Sequence, residues 1–445
     1  MNLKKFFSTL KFFYLYMFFL SLEEIKNQRK NRRAYVRFTL TGRGIEARIL
    51  ARPPKLFFKN FVAVIFAANF FICNFAQASI QPFDIENEKV PELDPAYKEI
   101  PTYAEDETPP ETETPAVEDE GLEFLVYHEN GVMAFAIIAD HEKYQLLPIL
   151  AKNQIKGRAT VSQMTKNLYD IAIINASYFM PNGSLIGVTK IDGEIIGVDD
   201  FYRSAIGIYD DGSTIFGRVR YSGEIEFYGD TIQIGGVNWE RGENSLVLYN
   251  SYFGETTGTN NFGVEVVVEN GIITDIFYDK GNNFIPAGGY VISAHGAAAE
   301  FFQFAQVGDL ININQKILSD DGNFNDVPYV VGAGPRLVMD GKIFVTAAEE
   351  KFPNDIKNGR APRAAVGVTS YGDYILAVVD GRQAHSKGCT LQEWANILLN
   401  KFGAFNAINL DGGGSAELIV KDKLVNKPSD GRERLVGNAL AILPK

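Results

Sequence analysis

Residues 409–420 read NLDGGGSAELIV. An apolar run reaches Asn409 and Leu410, an acid follows at Asp411, three glycines precede Ser415, and apolar residues then resume. Glycine in a strand costs conformational entropy and leaves nothing to pack. Three together suggest that something must come close to the main chain. One reading is a nest, in which the N–H groups of Gly412, Gly413 and Gly414 point at an anion. Asp411 beside it could then serve as acid, base or nucleophile, with Asn409 and Ser415 orienting a ligand. The plain alternative is a glycine-rich turn with a capping acid. No Gly-Lys-Ser/Thr follows, so the stretch is not a P-loop.

Around this stretch, residues 121–445 read as one folded body. Short β-rich runs separated by turn signals dominate it, such as VMAFAIIAD, VEVVVEN and YILAVVD. Asn270-Gly271 and Asp340-Gly341 read as hairpin turns. Helices are expected after the capping boxes Thr160-Val-Ser-Gln163 and Thr390-Leu-Gln-Glu393, and over 296–306. Leu391, Trp394, Ala395, Leu398 and Phe402 recur at helical spacing. The fold class expected is α+β, with mixed, mostly antiparallel β-sheets and a few flanking helices.

The chain ahead of residue 121 reads differently. Residues 1–60 carry 14 Lys/Arg against 3 acids. They form a basic N-terminal extension, for which a translation start later than Met1 is one explanation. FVAVIFAANFFICNF, residues 61–75, lies between a basic flank and AQAS, the pattern of a secretory signal cleaved after Ala78. It falls short of the roughly 20 residues of a spanning helix. Residues 61–78 are therefore expected to direct export, with a membrane anchor as the alternative and no other membrane contact. Residues 79–120 are Pro/Glu/Thr-rich, and 81–120 hold 14 acids against 2 Lys. Such a segment buries too little apolar surface to offset chain entropy and is read as a disordered linker.

The chain's net charge is −12. An acidic body excludes a nucleic-acid partner on electrostatic grounds. Cys73 lies inside the apolar run, which leaves Cys389 as the single thiol of the body, and it reads as packed rather than reactive. No Cys/His cluster has zinc spacing and no acidic loop has EF-hand spacing.

Other residues could carry chemistry. Arg363 opens a strand in APRAAVG, where its planar fork could hold phosphate or carboxylate, or form a salt bridge. Asp380 and Arg382 stand at a strand end in VVDGRQAHSKG, before a long loop. His385 in that loop reads as solvated, and Glu393 as the third residue of its capping box. Asn175 ends the run IIN and could orient a hydroxyl or cap a turn. His295, between a strand and a helix, could serve a ligand or cap the helix.

Together INASYF, VVGAGPRLVMDGKIF, APRAAVG, VVDGRQAHSKGCTLQEW, NLDGGGSAELIV and VNKPSDGRERLVGNAL resemble, in order, the phosphodiester glycosidase family. The family's PRTA motif falls on Pro362–Ala365 with Ala365 in place of Thr, its DGR on Asp380–Arg382, and its NLDGGGS on Asn409–Ser415. Ala176 and Ser177 replace two usual glycines, and Ala416 and Glu417 stand where Ser-Thr is common. The resemblance implies an exported hydrolase of sugar-1-phosphodiesters acting on envelope or exopolysaccharide material. Asp411 and Asp380 would be its catalytic carboxylates. Arg363, Arg382 and the 412–414 backbone would hold phosphate, with Asn175, Asn409, Ser415 and His295 in the binding site. The sequence requires no cofactor and leaves a divalent metal open. The alternative is a non-catalytic binding module for anionic cell-envelope glycans.

Overall fold

A computed structural model describes residues 36–41, 44–49, 120–165 and 171–445. The chain divides into two units, 1–104 and 105–445. In the first, Val36–Thr41 pairs antiparallel with Gly44–Ile49. The expected signal at 61–78 and the linker as far as 119 lie outside the described residues. Among the described residues no helix is long and apolar enough to cross a membrane.

In the second unit two sheets stack face to face. One has seven strands, in the order Lys342–Ile343, Arg336–Met339, Asn406–Asn409, Arg363–Val368, Tyr374–Val379, Val132–Ala139, Leu122–Glu129. The other has five, in the order Lys423–Leu424, Leu418–Val420, Ala172–Asn175, Asn438–Pro444, Tyr144–Leu150. Side chains alternate across each strand. Val366, Leu376, Val378 and Ile408 of the first sheet meet Ile174, Leu418 and Leu440 of the second in one core. The odd-facing residues Ala365, Ile375 and Ala377 pack instead on Trp394 and Leu398 of the helix Leu391–Asn400. Ile173, Ile419 and Ala441 likewise pack on Val161 and Met164 of the short helix Val161–Thr165. Both faces of both sheets are covered, which is why the central strands are apolar throughout rather than alternating.

Two further sheets, one of seven strands and one of five, share a second core around Phe302, Ile225 and Val266. Pairing is antiparallel apart from Gly236–Val237 beside Leu246–Tyr249. The mostly antiparallel expectation therefore holds. The helical share is thinner than α+β suggests: among the described residues the longest helix has 10 residues. The stretch expected as a helix over 296–306 is a 3-10 helix, Gly296–Phe302.

Local signals match their chemistry. Asn270 and Gly271 have φ of 52° and 75°, the left-handed pair a two-residue hairpin needs. Thr390 accepts from the Glu393 N–H while the Glu393 side chain accepts from the Thr390 N–H, a reciprocal cap.

Register brings several chain positions to one edge of the stacked sheets. Arg363 faces Val379, the residue before Asp380. Ala365 faces Asn409, two residues before Asp411. Leu418, after Glu417, faces Ile174, and Asn175 faces Ala439. Arg363, Asp380, Asp411, Asn175 and Glu417 thus leave their strands at the same end.

Candidate active site

The DGGGS stretch is a turn ending in a short 3-10 helix, Gly413–Ser415. Close approach explains its glycines. A Cβ on Gly412 would lie 2.7 Å from the Pro362 carbonyl oxygen, and one on Gly414 would lie 2.3 Å from Asp430 and Arg434 atoms. Gly413 has φ of 62° and carries the Arg382 guanidinium against it, 3.3 Å from where its Cβ would be. The nest expected over 412–414 does not form as such. The Gly413 N–H is spent on the Pro362 carbonyl and the Ser415 N–H on that of Gly412, while Gly412 donates to the Asp411 carboxyl.

Asp411 is partly exposed. Burial pushes its carboxyl up to about 6, against the opposing pull of a Ser415 hydrogen bond, the Arg434 charge and the Gly412 N–H. It therefore changes charge near neutrality, which suits proton transfer. Asn175 is buried, and both ends of its amide are committed: Nδ2 donates to the Asp411 carbonyl at 2.7 Å and Oδ1 accepts from the Glu417 N–H at 3.1 Å. It clamps the two ends of the turn and, at 0% exposure, cannot meet a sugar directly. Asn409 donates from Nδ2 to the Tyr178 hydroxyl at 3.0 Å, while its buried Oδ1 has no partner. The Ser415 hydroxyl lies between Asp411 and Arg434 Nη1, the latter at 3.3 Å.

Arg363 is only 3% exposed. Its Nε donates to the Cys389 carbonyl and its Nη2 to those of Ile356 and Gly359. Burial lowers its pKa. Those bonds make it a brace for the 356–359 and 389 backbone and occupy most of the fork expected to grip phosphate. Arg382 is exposed, and among the described residues it has no carboxylate partner.

Asp380 is 2% exposed, so it cannot meet a substrate directly. His385 Nε2 donates to its Oδ2 at 2.9 Å, and Asn426 Nδ2 and the Lys427 N–H donate to its Oδ1 at 3.1 and 3.0 Å. Asn426 also donates to the Ala416 carbonyl at 2.9 Å, tying this pair to the Asp411 turn. His385, read from the sequence as solvated, is instead oriented by a buried acid. The loop closes through Ser386, whose hydroxyl donates to the Asp380 carbonyl at 2.6 Å. No sequence spacing announces such a five-residue return. Tyr178 and Arg434 also escaped the sequence reading, although both lie inside the quoted motifs.

His295 lies elsewhere, after the strand Tyr290–Ala294 of a different sheet. Its ring stands edge-on to Phe262 and does not cap the following 3-10 helix. None of its contacts reaches the 411–417 turn. Cys389 is fully buried, and burial pushes its thiol up to about 12. Among the described residues Asp140, His141 and Asp373 have donor atoms within 4.8 Å of one another, as a shared cation would require. They lie at the opposite end of the strand Tyr374–Val379 from Asp380.

Glu417 is fully buried. Its Oε1 accepts from the Arg434 N–H at 2.7 Å and its Oε2 has no partner. Burial pushes its carboxyl up to about 8. The fold thus holds this proton more tightly than the unfolded chain does. Stability must fall as pH rises from the ordinary value of 4.5 to about 8. Glu417→Gln keeps the acceptor and removes the titration. It is expected to unfold at higher denaturant than the unaltered protein at pH 9, with the gap closing by pH 5. Parallel curves at both pH values would refute a protonated Glu417.

Residues 262–443 match the family described as NAGPA: Phosphodiester glycosidase. A Bacillus subtilis (strain 168) SPbeta prophage-derived uncharacterized protein, YomE, is 41% identical over 85 residues, covering 19% of this chain and 13% of that protein. The Bos taurus N-acetylglucosamine-1-phosphodiester alpha-N-acetylglucosaminidase is 32% identical over 161 residues, covering 33% of this chain and 29% of that enzyme. The chain therefore aligns with under a third of either relative. The crystal structure of a hypothetical protein from Synechocystis superposes with a TM-score of 0.63 at 25% identity, over 73% of this chain and 62% of that one. The resemblance to the phosphodiester glycosidase family is thereby shown for residues 262–443, the stretch that holds Arg363, Asp380 and Asp411.

Proposed function

We propose that this protein is an exported hydrolase of glycosyl phosphodiesters in envelope or exopolysaccharide material. The observation that carries the reading is Asp411: a partly exposed carboxyl raised to about 6, on a turn that carries the Arg382 guanidinium at Gly413 and that Asn426 ties to the His385–Asp380 pair. The family match over 262–443 supports the same reaction class.

In this reading water attacks the anomeric carbon and the bond from that carbon to the phosphate oxygen breaks. Asp411 accepts the water proton, and the phosphate leaves as a monoester that carries the bond's electron pair. Arg382 offsets the charge growing on the phosphate, the stage at which fixed positive charge contributes most. His385, held by Asp380, serves proton transfer on the leaving side. A phosphate needs little protonation to depart, so two flanking carboxylates of the usual glycosidase kind are not required.

The test is incubation with a sugar-1-phosphodiester in oxygen-18 water. Free sugar carrying the label at its anomeric oxygen is expected. Label on phosphate would place the break at phosphorus. Retained affinity for an anionic glycan with no sugar released would favour a binding module instead. Export is checked by sequencing the secreted chain, whose N-terminus is expected at Ser79.

A further inference from the structure

We propose that Arg203, opening onto the segment 199–203, is a ligand subsite that takes a phosphate. The assignment rests on the hydrolase reading only for the identity of the phosphate's carrier.

Arg203 opens the strand Arg203–Ile208. Its guanidinium carbon lies 3.9 Å from the Phe201 ring centroid and 4.2 Å from that of Phe352. A flat cation packed against two rings is held in place by them and has its edge left for bonding. Among the described residues its buried Nε has no hydrogen-bond partner. Asp199, four residues earlier, accepts from the Phe201 N–H at 3.2 Å through Oδ1, and the Gly187 N–H also bonds its carboxyl. The two charges feel one another, yet no hydrogen bond joins them. Buried donors and acceptors are rarely left unpaired in native proteins. An arginine packed in this way without a hydrogen-bond partner calls for a ligand that accepts from it, and a phosphate does so. Phe201, 43% exposed, adds an apolar surface at the mouth.

The subsite borders the candidate active site. Phe352 packs on Tyr178 at 5.7 Å as well as on Arg203. The Tyr178 hydroxyl feels the charges of Asp411, Arg363 and Arg203 together. Arg363 has spent three bonds on main-chain carbonyls. Arg203, with none spent, is the better fork for an oxyanion, and bidentate binding in the guanidinium plane is what its packing permits.

The test measures inorganic phosphate binding by calorimetry, and KM and kcat on a sugar-1-phosphodiester, for the unaltered protein, Arg203→Met and Arg203→Lys. Arg203→Met is expected to weaken phosphate at least tenfold and to raise KM more than it lowers kcat, with an unchanged circular dichroism spectrum. Arg203→Lys keeps the charge without the fork and is expected to fall between. Phosphate affinity unaltered in both variants, or no phosphate binding by the unaltered protein, overturns the proposal. Phosphate binding that depends on Arg203, with no turnover of any sugar phosphodiester, upholds the subsite and defeats the hydrolase reading instead.

Discussion

Asp411→Asn is expected to slow turnover of a sugar-1-phosphodiester by roughly 10²- to 10⁴-fold, the usual worth of a positioned acid or base. The fold should survive. Asn keeps the volume, and its carbonyl oxygen can still accept from Ser415 or the Gly412 N–H, the donors to the Asp411 carboxyl. The pH dependence supplies a second readout. If Asp411 acts as a base, turnover of the unaltered protein falls as pH drops through about 6, where burial has moved its carboxyl from 3.8. Its effect on stability runs the opposite way. The folded state binds this proton more tightly than the unfolded one, so stability declines as pH rises from 3.8 to about 6. Asp411→Asn escapes that decline and should be the more stable form at pH 8 while being nearly inactive. Undiminished turnover in the variant would remove Asp411 from the chemistry, whatever the stability curves show.

The second large effect concerns Asp380, which the sequence offered as a catalytic carboxylate and the structure buries behind His385. Asp380→Ala strips the partner from three donors at once: His385 Nε2, Asn426 Nδ2 and the Lys427 N–H. Leaving a buried hydrogen-bonding group without its partner costs about 1–3 kcal/mol. Chemical denaturation should register a loss of that order. Asp380→Asn separates orientation from stability. Its carbonyl can still accept from Asn426 and Lys427, but its amide then presents donors to His385 Nε2. That forces the imidazole into the other tautomer or turns it away. Turnover should drop sharply in Asp380→Asn and in His385→Ala, with smaller losses of stability than in Asp380→Ala. If His385→Ala turns over normally, the pair is a structural clasp for the 380–388 loop and nothing more.

Much of this molecule is legible in its amino acids because the signals are local. Thr390 and Glu393 cap a helix through bonds three residues apart, and Asn270-Gly271 turns a hairpin because both residues accept a left-handed backbone. Neither depends on the rest of the chain. The long strand Thr214–Phe227 carries a local signal of another kind. Arg218, Arg220, Glu224 and Glu226 alternate with Val219, Tyr221, Ile225 and Phe227, the period-two pattern of a half-buried strand, and its partners lie at 203–208, 230–233 and 312–319.

The site divides along the same line. By itself the amino-acid order determined that Asp411 ends a strand before a backbone too crowded for side chains, and that Arg363, Asp380 and Asn175 flank strands of their own. Each is a property of a few consecutive residues. Tertiary structure alone decided what those side chains touch. Antiparallel register brought five strand ends to one edge, and the bonds available there sorted the residues into different tasks. Asn175 and Arg363 were consumed by carbonyls and amides, Asp380 by His385, and His295 was placed in another sheet. Among the described residues Arg382 was left without a carboxylate partner, and Arg203 with an unpartnered Nε. Hydrogen-bonding capacity is finite and is spent by whichever partner the fold brings nearest, which no spacing along the chain can specify.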